Sequence, residues 1–173
     1  MTLNEYQTLA ARTIATDDKA EMESHALYGL TAEIGELMDA CYETDTTLEH
    51  VIKECGDVCW MCAELCTAYG WFLGDIVSEY TGTPWGGWSS ISDAVMCNGR
   101  IQGTYQKVLQ GHRWDVDCVK ENIDKIFSCV QGVAGCYGSS LDDVLQTNIE
   151  KLKARYPDGF DPDRSLHRAD GDV

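Results

Sequence analysis

Four carboxylates with regular spacing are the residues of this 173-residue chain best suited to chemistry. They form two pairs, Glu33-Ile-Gly-Glu36 and Glu54-Cys-Gly-Asp57, each with i, i+3 spacing. Residues three apart lie on one face of a helix, so each pair would project from one side of its segment. Two such pairs on neighbouring helices would form an oxygen-rich site for a hard divalent cation such as Mg²⁺.

The helical phase of the two segments predicts that the pairs converge. Apolar stripes that include Leu30 and Val51 mark the buried side of each helix. At about 100° per residue, both acid pairs fall at the same two angles from their stripes. The short polar connection 43–47 predicts an antiparallel hairpin, which would place both pairs on one edge. Because carboxylates repel at short range, this edge is expected to bind a cation or to be a solvated acidic surface.

Apolar periodicity over the rest of the chain predicts an all-α fold in a single domain, residues 1–173. A Gly- and Trp-containing stretch, 81–91, is the predicted linker, and 161–173 is predicted to be an irregular tail. The predicted helices span residues 3–16, 21–42, 48–68, 73–80, 92–109, 116–136 and 141–156.

The second half of the chain repeats the first. Residues 51–70 align without gaps with residues 119–138, including the apolar stripe and the final Tyr-Gly. Residues 1–80 and 92–160 are therefore predicted to be two degenerate helical-hairpin repeats. Packing of their apolar stripes would give a helical bundle with pseudo-two-fold symmetry.

The second repeat has neutral or basic residues where the first has acids. Asn122 and Lys125 stand in the places of the second acid pair. Two registers are open for the first pair, whose places are taken either by Cys97 and Arg100 or by Thr104 and Lys107. The last helix adds a polar face with Asn148, Lys151 and Arg155. A divalent cation beside Lys and Arg side chains is typical of a polyphosphate site.

The formal net charge of −16 argues against binding to a nucleic-acid backbone, which requires basic surface. The N-terminus has no signal-peptide pattern and no apolar run is long enough to span a membrane. The sequence therefore predicts a cytoplasmic protein without a membrane or nucleic-acid partner.

Four of the nine cysteines, Cys55, Cys59, Cys62 and Cys66, have the spacing of a buried helical stripe. Free cysteine packs as a small apolar residue, so these thiols are predicted to belong to the core. A zinc site is the alternative, but a regular helix spreads the four over several turns and away from one tetrahedral ion.

The sequence resembles the MazG-like, all-α nucleoside triphosphate pyrophosphohydrolases, and phage-type members in particular. The resemblance covers nearly the whole chain. It is carried by Asn4-Glu-Tyr-Gln7, Arg12-Thr13, Gly29-Leu-x-x-Glu33-x-Gly-Glu36-x-x-Asp39, Glu54-x-Gly-Asp57-Val-x-Trp60, Gln110-Gly-His112, Asn148-Ile-Glu-Lys151-Leu-Lys-x-Arg155-Tyr-Pro-Asp-Gly-Phe160 and Ser165-x-x-Arg168.

This resemblance implies hydrolysis of a (deoxy)nucleoside triphosphate to the monophosphate and pyrophosphate. It implies Mg²⁺ or Mn²⁺ bound by Glu33, Glu36, Glu54 and Asp57. From the chemistry of water activation we expect one carboxylate, Glu36 or Glu33, to be the general base. Residues that would contact the phosphates are Lys107, Asn148, Lys151 and Arg155. We also expect a homo-oligomer, such as a dimer of fused pseudo-dimers, in the host cytoplasm if the protein is viral.

The base is the part of the substrate that the sequence specifies least. Candidate walls of a base pocket are His25, Tyr28, Trp85 and Trp88, whereas Trp60 is more typical of a core residue. Aromatic side chains stack on any base. The nucleotides dGTP, GTP, dUTP, dCTP and dATP are therefore all candidates, for pool control or for removal of abnormal nucleotides.

The chain differs from the family pattern because its motifs are divided between the repeats. The acids lie in the first repeat, while the basic loop and the C-terminal motif lie in the second, which predicts one composite site per chain. A di-iron carboxylate bundle would need Glu-x-x-His pairs, and none of the four histidines forms one. A non-enzymatic helical binding or assembly module with a structural divalent cation is the remaining alternative.

Overall fold

All regular structure is helical in residues 1–78 and 87–167, the part of the chain that the computed structural model describes. This confirms the predicted all-α fold. No helix in these two ranges is long and apolar enough to cross a membrane. The helices are α1 (Leu3–Ala11), α2 (Lys19–Tyr42), α3 (Leu48–Tyr69), α4 (Leu73–Ile76), α5 (Gly87–Leu109), α6 (Val116–Cys136), α7 (Leu141–Arg155) and α8 (Pro162–Leu166).

Capping residues determine where the site-bearing helices begin and end. The Asp18 side chain accepts hydrogen bonds from the amides of Ala20 and Glu21 and starts α2. Thr47 caps α3 from the polar turn that precedes it, where its hydroxyl accepts a hydrogen bond from the amide of His50. Gly70 ends α3 with a φ of 66°, a left-handed conformation that glycine adopts without a steric penalty.

Several helix bounds differ from the predictions. Helix α1 ends at Ala11 rather than at residue 16, because the hydroxyl of Thr13 donates to the carbonyl of Ala10 and accepts from the Trp60 indole. Helix α4 ends at Ile76, short of the predicted 73–80. At the end of α1, the side-chain bonds of Thr13 replace the backbone bonds that a longer helix would form.

The predicted linker and tail also contain helix. Helix α5 begins at Gly87, not at residue 92, and burial of Ile91 in the core favours this longer helix. The remaining linker residues, 81–86, lie outside the described part of the chain. In the tail, Asp161 caps the short helix α8, which begins at Pro162, a residue preorganised for the first helical turn.

Helix α3 lies in the centre of the fold and packs against α1, α2, α6 and α7. Its cysteines at 55, 59, 62 and 66 are free and buried, which confirms their predicted place in the core. Helices α2 and α3 are antiparallel, because His25 contacts Glu64 while Glu23 contacts Tyr69. The acids of α2 therefore face those of α3 across a hairpin.

The second pair of long helices, α5 and α6, packs on the first. Gln102 donates from Nε2 to the Leu27 carbonyl at 2.6 Å, and Asn98 donates to the Thr31 hydroxyl at 3.0 Å. These polar bonds join α5 to α2, while α3 packs on α6. Because α6 packs on α3, the next helix along the chain, α7, also packs on α3.

Helix α7 crosses α3 closely at Gly56. A Cβ atom at this position would lie 2.7 Å from the Cβ of Asn148, so only glycine permits the observed separation. The Tyr6 hydroxyl donates to Oδ1 of Asn148 at 2.8 Å. Helices α1, α3 and α7 thus meet at one buried point beside the acid pairs.

Candidate metal centre and its cavity

Three of the four predicted ligands come together. Glu33 and Glu36 of α2 and Glu54 of α3 offer carboxylate oxygens that all lie within 4.8 Å of one another. The antiparallel hairpin produces this convergence, as the helical phase predicts. Glu36 is exposed and Glu33 half-buried, whereas Glu54 is 2% exposed.

Glu54 has an unsatisfied buried oxygen. Its Oε2 atom has no hydrogen-bond partner among the described residues, and its Oε1 atom lies 3.6 Å from Nδ1 of His50. Burial raises the pKa of Glu54, and the nearby charge of Asp57 raises it further. A buried carboxylate oxygen without a partner is costly, and a bound cation would satisfy it.

The repulsion among the acids is clearest at Glu33. Burial, followed by the charges of Asp57, Glu36 and Glu54, raises its pKa to about 8, while Lys151 opposes the shift. Without a cation, Glu33 therefore retains its proton at neutral pH. A divalent cation would compete with that proton, so metal binding would release it.

Asp57, the fourth predicted ligand, has a different set of partners. Its Oδ2 atom lies 2.5 Å from Nζ of Lys151, and its Oδ1 atom accepts a hydrogen bond of 3.1 Å from Asn148. Burial raises the pKa of Asp57, and Lys151 opposes that rise. Asp57 thus links the acids of the first half of the chain to a base of the second.

A cavity of about 270 Å³ is lined by Glu33, Glu36 and Asp57, whereas Glu54 lies outside the lining. Lys151 and Arg155 of α7 line the same cavity as these acids of α2 and α3. Phe160 and Ser165 of the C-terminal segment contribute to the wall. The structure therefore brings the predicted bases of α7 to the predicted acids, although 94 positions of sequence separate Asp57 from Lys151.

Two predicted phosphate-binding residues are placed differently from Lys151 and Arg155. Asn148 is fully buried, and both ends of its amide are used, by Tyr6 and by Asp57. Lys107 is exposed near the end of α5 and does not line the cavity. Their contacts with a phosphate stay predictions.

The candidate base-binding residues also divide into groups. His25 lines the cavity together with Trp60, the residue that the sequence assigns to the core. Tyr28 is 73% exposed and lies outside the lining. Trp85 lies outside the described residues, and Trp88 falls in the first turn of α5.

Two bases of the second repeat lie in another cavity. Arg100 and Lys125 line a space of about 360 Å³ between α5 and α6. Lys125 forms an ion pair with Glu121 there. Arg100 and Lys125 therefore lie apart from the acids, and among the described residues α7 supplies the lysine and arginine side chains that line the acid cavity.

One ionisable pair at the cavity was not predicted. His25 bonds through Nδ1 to Oε2 of Glu64, at 2.7 Å, and Glu64 is buried on α3. Glu64 lies seven residues, or two helical turns, after Asp57 and therefore on the same face of α3. That spacing was the signal in the sequence that would have revealed it.

Comparisons of the chain with protein-family models, with curated proteins and with solved structures gave no match. The chemistry of the cavity is therefore the basis for assigning a function.

Proposed function

We propose that this chain is a metal-dependent hydrolase that converts a (deoxy)nucleoside triphosphate to its monophosphate and pyrophosphate. The observation that carries the proposal is the unsatisfied Oε2 atom of Glu54, in a carboxylate cluster whose other two members, Glu33 and Glu36, line a cavity together with Lys151 and Arg155. Acids that need a cation, beside bases that suit phosphate, form the two halves of a nucleotide polyphosphate site.

The donors of the cluster fit Mg²⁺ or Mn²⁺. Glu33, Glu36 and Glu54 offer only carboxylate oxygens, which hard cations prefer, and Asp57 is the fourth proposed ligand. Such a cation, when bound, polarises a phosphate and lowers the pKa of water.

Lys151 and Arg155 are the proposed phosphate ligands. Lys151 is 7% exposed and pairs with Asp57, so its ammonium group is held at the boundary between the acids and the cavity. A phosphate oxygen would compete with Asp57 for this ammonium group and would free Asp57 to act as a ligand. The planar guanidinium of Arg155 can donate two parallel hydrogen bonds to a phosphate.

The proposed reaction is attack of water on the α-phosphorus. The water oxygen forms a bond to this phosphorus while the bond to the oxygen that bridges to the β-phosphate breaks. Pyrophosphate leaves with that bridging oxygen and its electron pair. Glu36 or Glu33 accepts the proton that the water loses.

The proposed activity agrees with a fold built from two helical-hairpin repeats. The packing of α2 on α3 and of α5 on α6 supports two MazG-like hairpin repeats with pseudo-two-fold symmetry, and we propose one composite site per chain. We further propose that the protein acts in the cytoplasm and forms a homo-oligomer.

Pyrophosphate release from dGTP, GTP, dUTP, dCTP and dATP, with and without Mg²⁺, tests the proposal. Glu36→Gln removes an exposed ligand and proton acceptor and is expected to reduce kcat/KM by about 100-fold or more. Glu49→Gln is the matched control, because Glu49 is an exposed acid that pairs with Lys53 outside the cluster.

Metal-dependent release that Glu36→Gln abolishes and Glu49→Gln preserves would support the hydrolase. Absence of metal-dependent turnover on every nucleotide would contradict it. That result would favour the binding module with a structural cation.

A further inference from the structure

Glu64 is a buried carboxylate that the proposed hydrolysis does not use. It is 3% exposed, and its Oε2 atom lies 2.7 Å from Nδ1 of His25. A carboxylate buried to this extent needs a hydrogen-bonded or charged partner, and the imidazole provides it. The contact raises the pKa of His25, mainly through the hydrogen bond to Glu64, and so favours the imidazolium form.

The contact with Glu64 orients the imidazole of His25. Because Nδ1 donates to a carboxylate, Nε2 is the ring nitrogen left for a ligand. No described residue forms a hydrogen bond to Nε2, and the side chain is 55% exposed where it lines the cavity. The ring also packs edge-on against Trp60, with 5.7 Å between centroids.

His25 and the acids of α2 line the same cavity from different turns of that helix. His25 is eight residues before Glu33 on α2, or about 12 Å along the helix axis. Lys151 and Asp57 lie near Glu33. A nucleotide whose phosphates lie there would extend its base towards His25 and Trp60.

The charges that face His25 come from two helices. Glu64 approaches it from α3, and Glu33 acts on it from its own helix, α2. Both raise its pKa, while burial opposes them. A protonated ring presents an N–H donor at Nε2, whereas a neutral ring that donates to Glu64 would present an acceptor there.

We propose that His25 determines base specificity by donating a hydrogen bond from Nε2 to a keto oxygen on the base edge. This inference rests on the proposed function and narrows its substrate class to nucleotides with a keto group at that edge. An exocyclic amino group in the same place offers donors of its own and would face a donor. Glu64 is the positioning residue, which keeps the ring oriented and charged.

Matched substrate pairs test the inference. The base of dITP differs from that of dATP, and the base of dUTP from that of dCTP, in having a keto oxygen where the other has an amino group. We expect the wild type to favour the keto member of at least one pair by about 10-fold in kcat/KM. His25→Phe keeps a ring but removes the donor, so this ratio is expected to fall towards one.

Glu64→Gln tests the positioning role by a pH profile of the same ratio. In the wild type, keto preference is expected to decline as pH rises through the pKa of His25. In Glu64→Gln the decline is expected at lower pH, because the carboxylate that favours the imidazolium is gone. Glu49→Gln should leave both the ratio and its pH profile unchanged, and circular dichroism checks that each variant is folded.

The outcomes distinguish failure of the specificity role from failure of the proposed function. An equal loss of kcat/KM for both members of each pair in His25→Phe would overturn the specificity role. A wild type that lacks keto preference would overturn it as well. No metal-dependent hydrolysis of these four nucleotides, of dGTP or of GTP would overturn the proposed function, and this inference with it.

Discussion

At the scale of single residues, the raised pKa of Glu33 makes the stability of the metal-free protein depend on pH. An ordinary glutamate pKa is 4.5, whereas Glu33 titrates at about 8 in the folded chain. At a pH between these two pKa values, the carboxyl group of Glu33 is ionised in the unfolded chain and protonated in the folded chain. The free energy of unfolding therefore falls as pH rises through this window.

Glu33→Gln is expected to remove most of that pH dependence. Urea unfolding in EDTA at pH 5.5 and pH 8 should show a loss of roughly 1–3 kcal/mol for the wild type and a smaller loss for the variant. A saturating divalent cation should restore the wild type at pH 8, since it replaces the proton. An equal loss in both proteins would contradict the repulsion among these carboxylates.

The sequence was sufficient to predict the convergence of the three glutamates, because helical phase and one short turn determine it. The sequence was insufficient to predict the partners of Asp57. These partners, Lys151 and Asn148, lie more than 90 positions away and come from a helix whose packing on α3 no local pattern encodes. The contact of His25 with Glu64 was within reach of the sequence, because both residues belong to the predicted α2–α3 hairpin and Glu64 follows Asp57 by two helical turns.

At the scale of elements, the crossing of α3 and α7 controls how the bases reach the acids. Gly56→Ala would place a methyl group 2.7 Å from the Cβ of Asn148, so one helix must shift. We expect a loss of about 1–3 kcal/mol in the free energy of unfolding. We also expect lower kcat/KM, because Lys151 moves with α7.

Gly99→Ala is the matched control, since Gly99 is also helical but has no atom within 4 Å of a new Cβ. It is expected to stabilise the protein by up to about 1 kcal/mol through higher helix propensity. Unfolding curves and pyrophosphate release for both variants check the prediction. A Gly56→Ala protein as stable and active as Gly99→Ala would show that the crossing tolerates displacement.

The sequence predicted the centres of the long helices but not all of their ends. Periodic apolar residues determine the centres of α2, α3 and α6, and these agree with the structure. The end of α1 depends on the indole of Trp60, and the start of α5 on burial of Ile91. Both are tertiary contacts, which local propensity does not contain.

At the scale of the whole molecule, the net charge of −16 opposes compaction. Monovalent salt screens this repulsion generally, so NaCl is expected to raise the Tm of the wild type and of Glu54→Gln alike, by roughly 2–5 °C. A divalent cation should stabilise the wild type at far lower concentration, by binding the folded chain specifically.

Glu54→Gln separates the two effects, because it removes the buried carboxylate and keeps its shape. It is expected to keep the response to NaCl and to lose the response to low concentrations of Mg²⁺ or Mn²⁺. Differential scanning fluorimetry of both proteins in each salt measures this directly. Equal divalent responses would mean that the cations act only as general counterions.

The buried cysteines of α3 allow opening of the central helix to be followed by the rate of thiol alkylation. Cys59 and Cys62 are fully buried, and burial raises their pKa values well above the usual range. In the folded protein these thiols are therefore inaccessible to an alkylating reagent and are not in the reactive thiolate form. Exposed Cys136 would react first and give an internal reference. The slower modification of the stripe would then report how often the centre of the bundle opens.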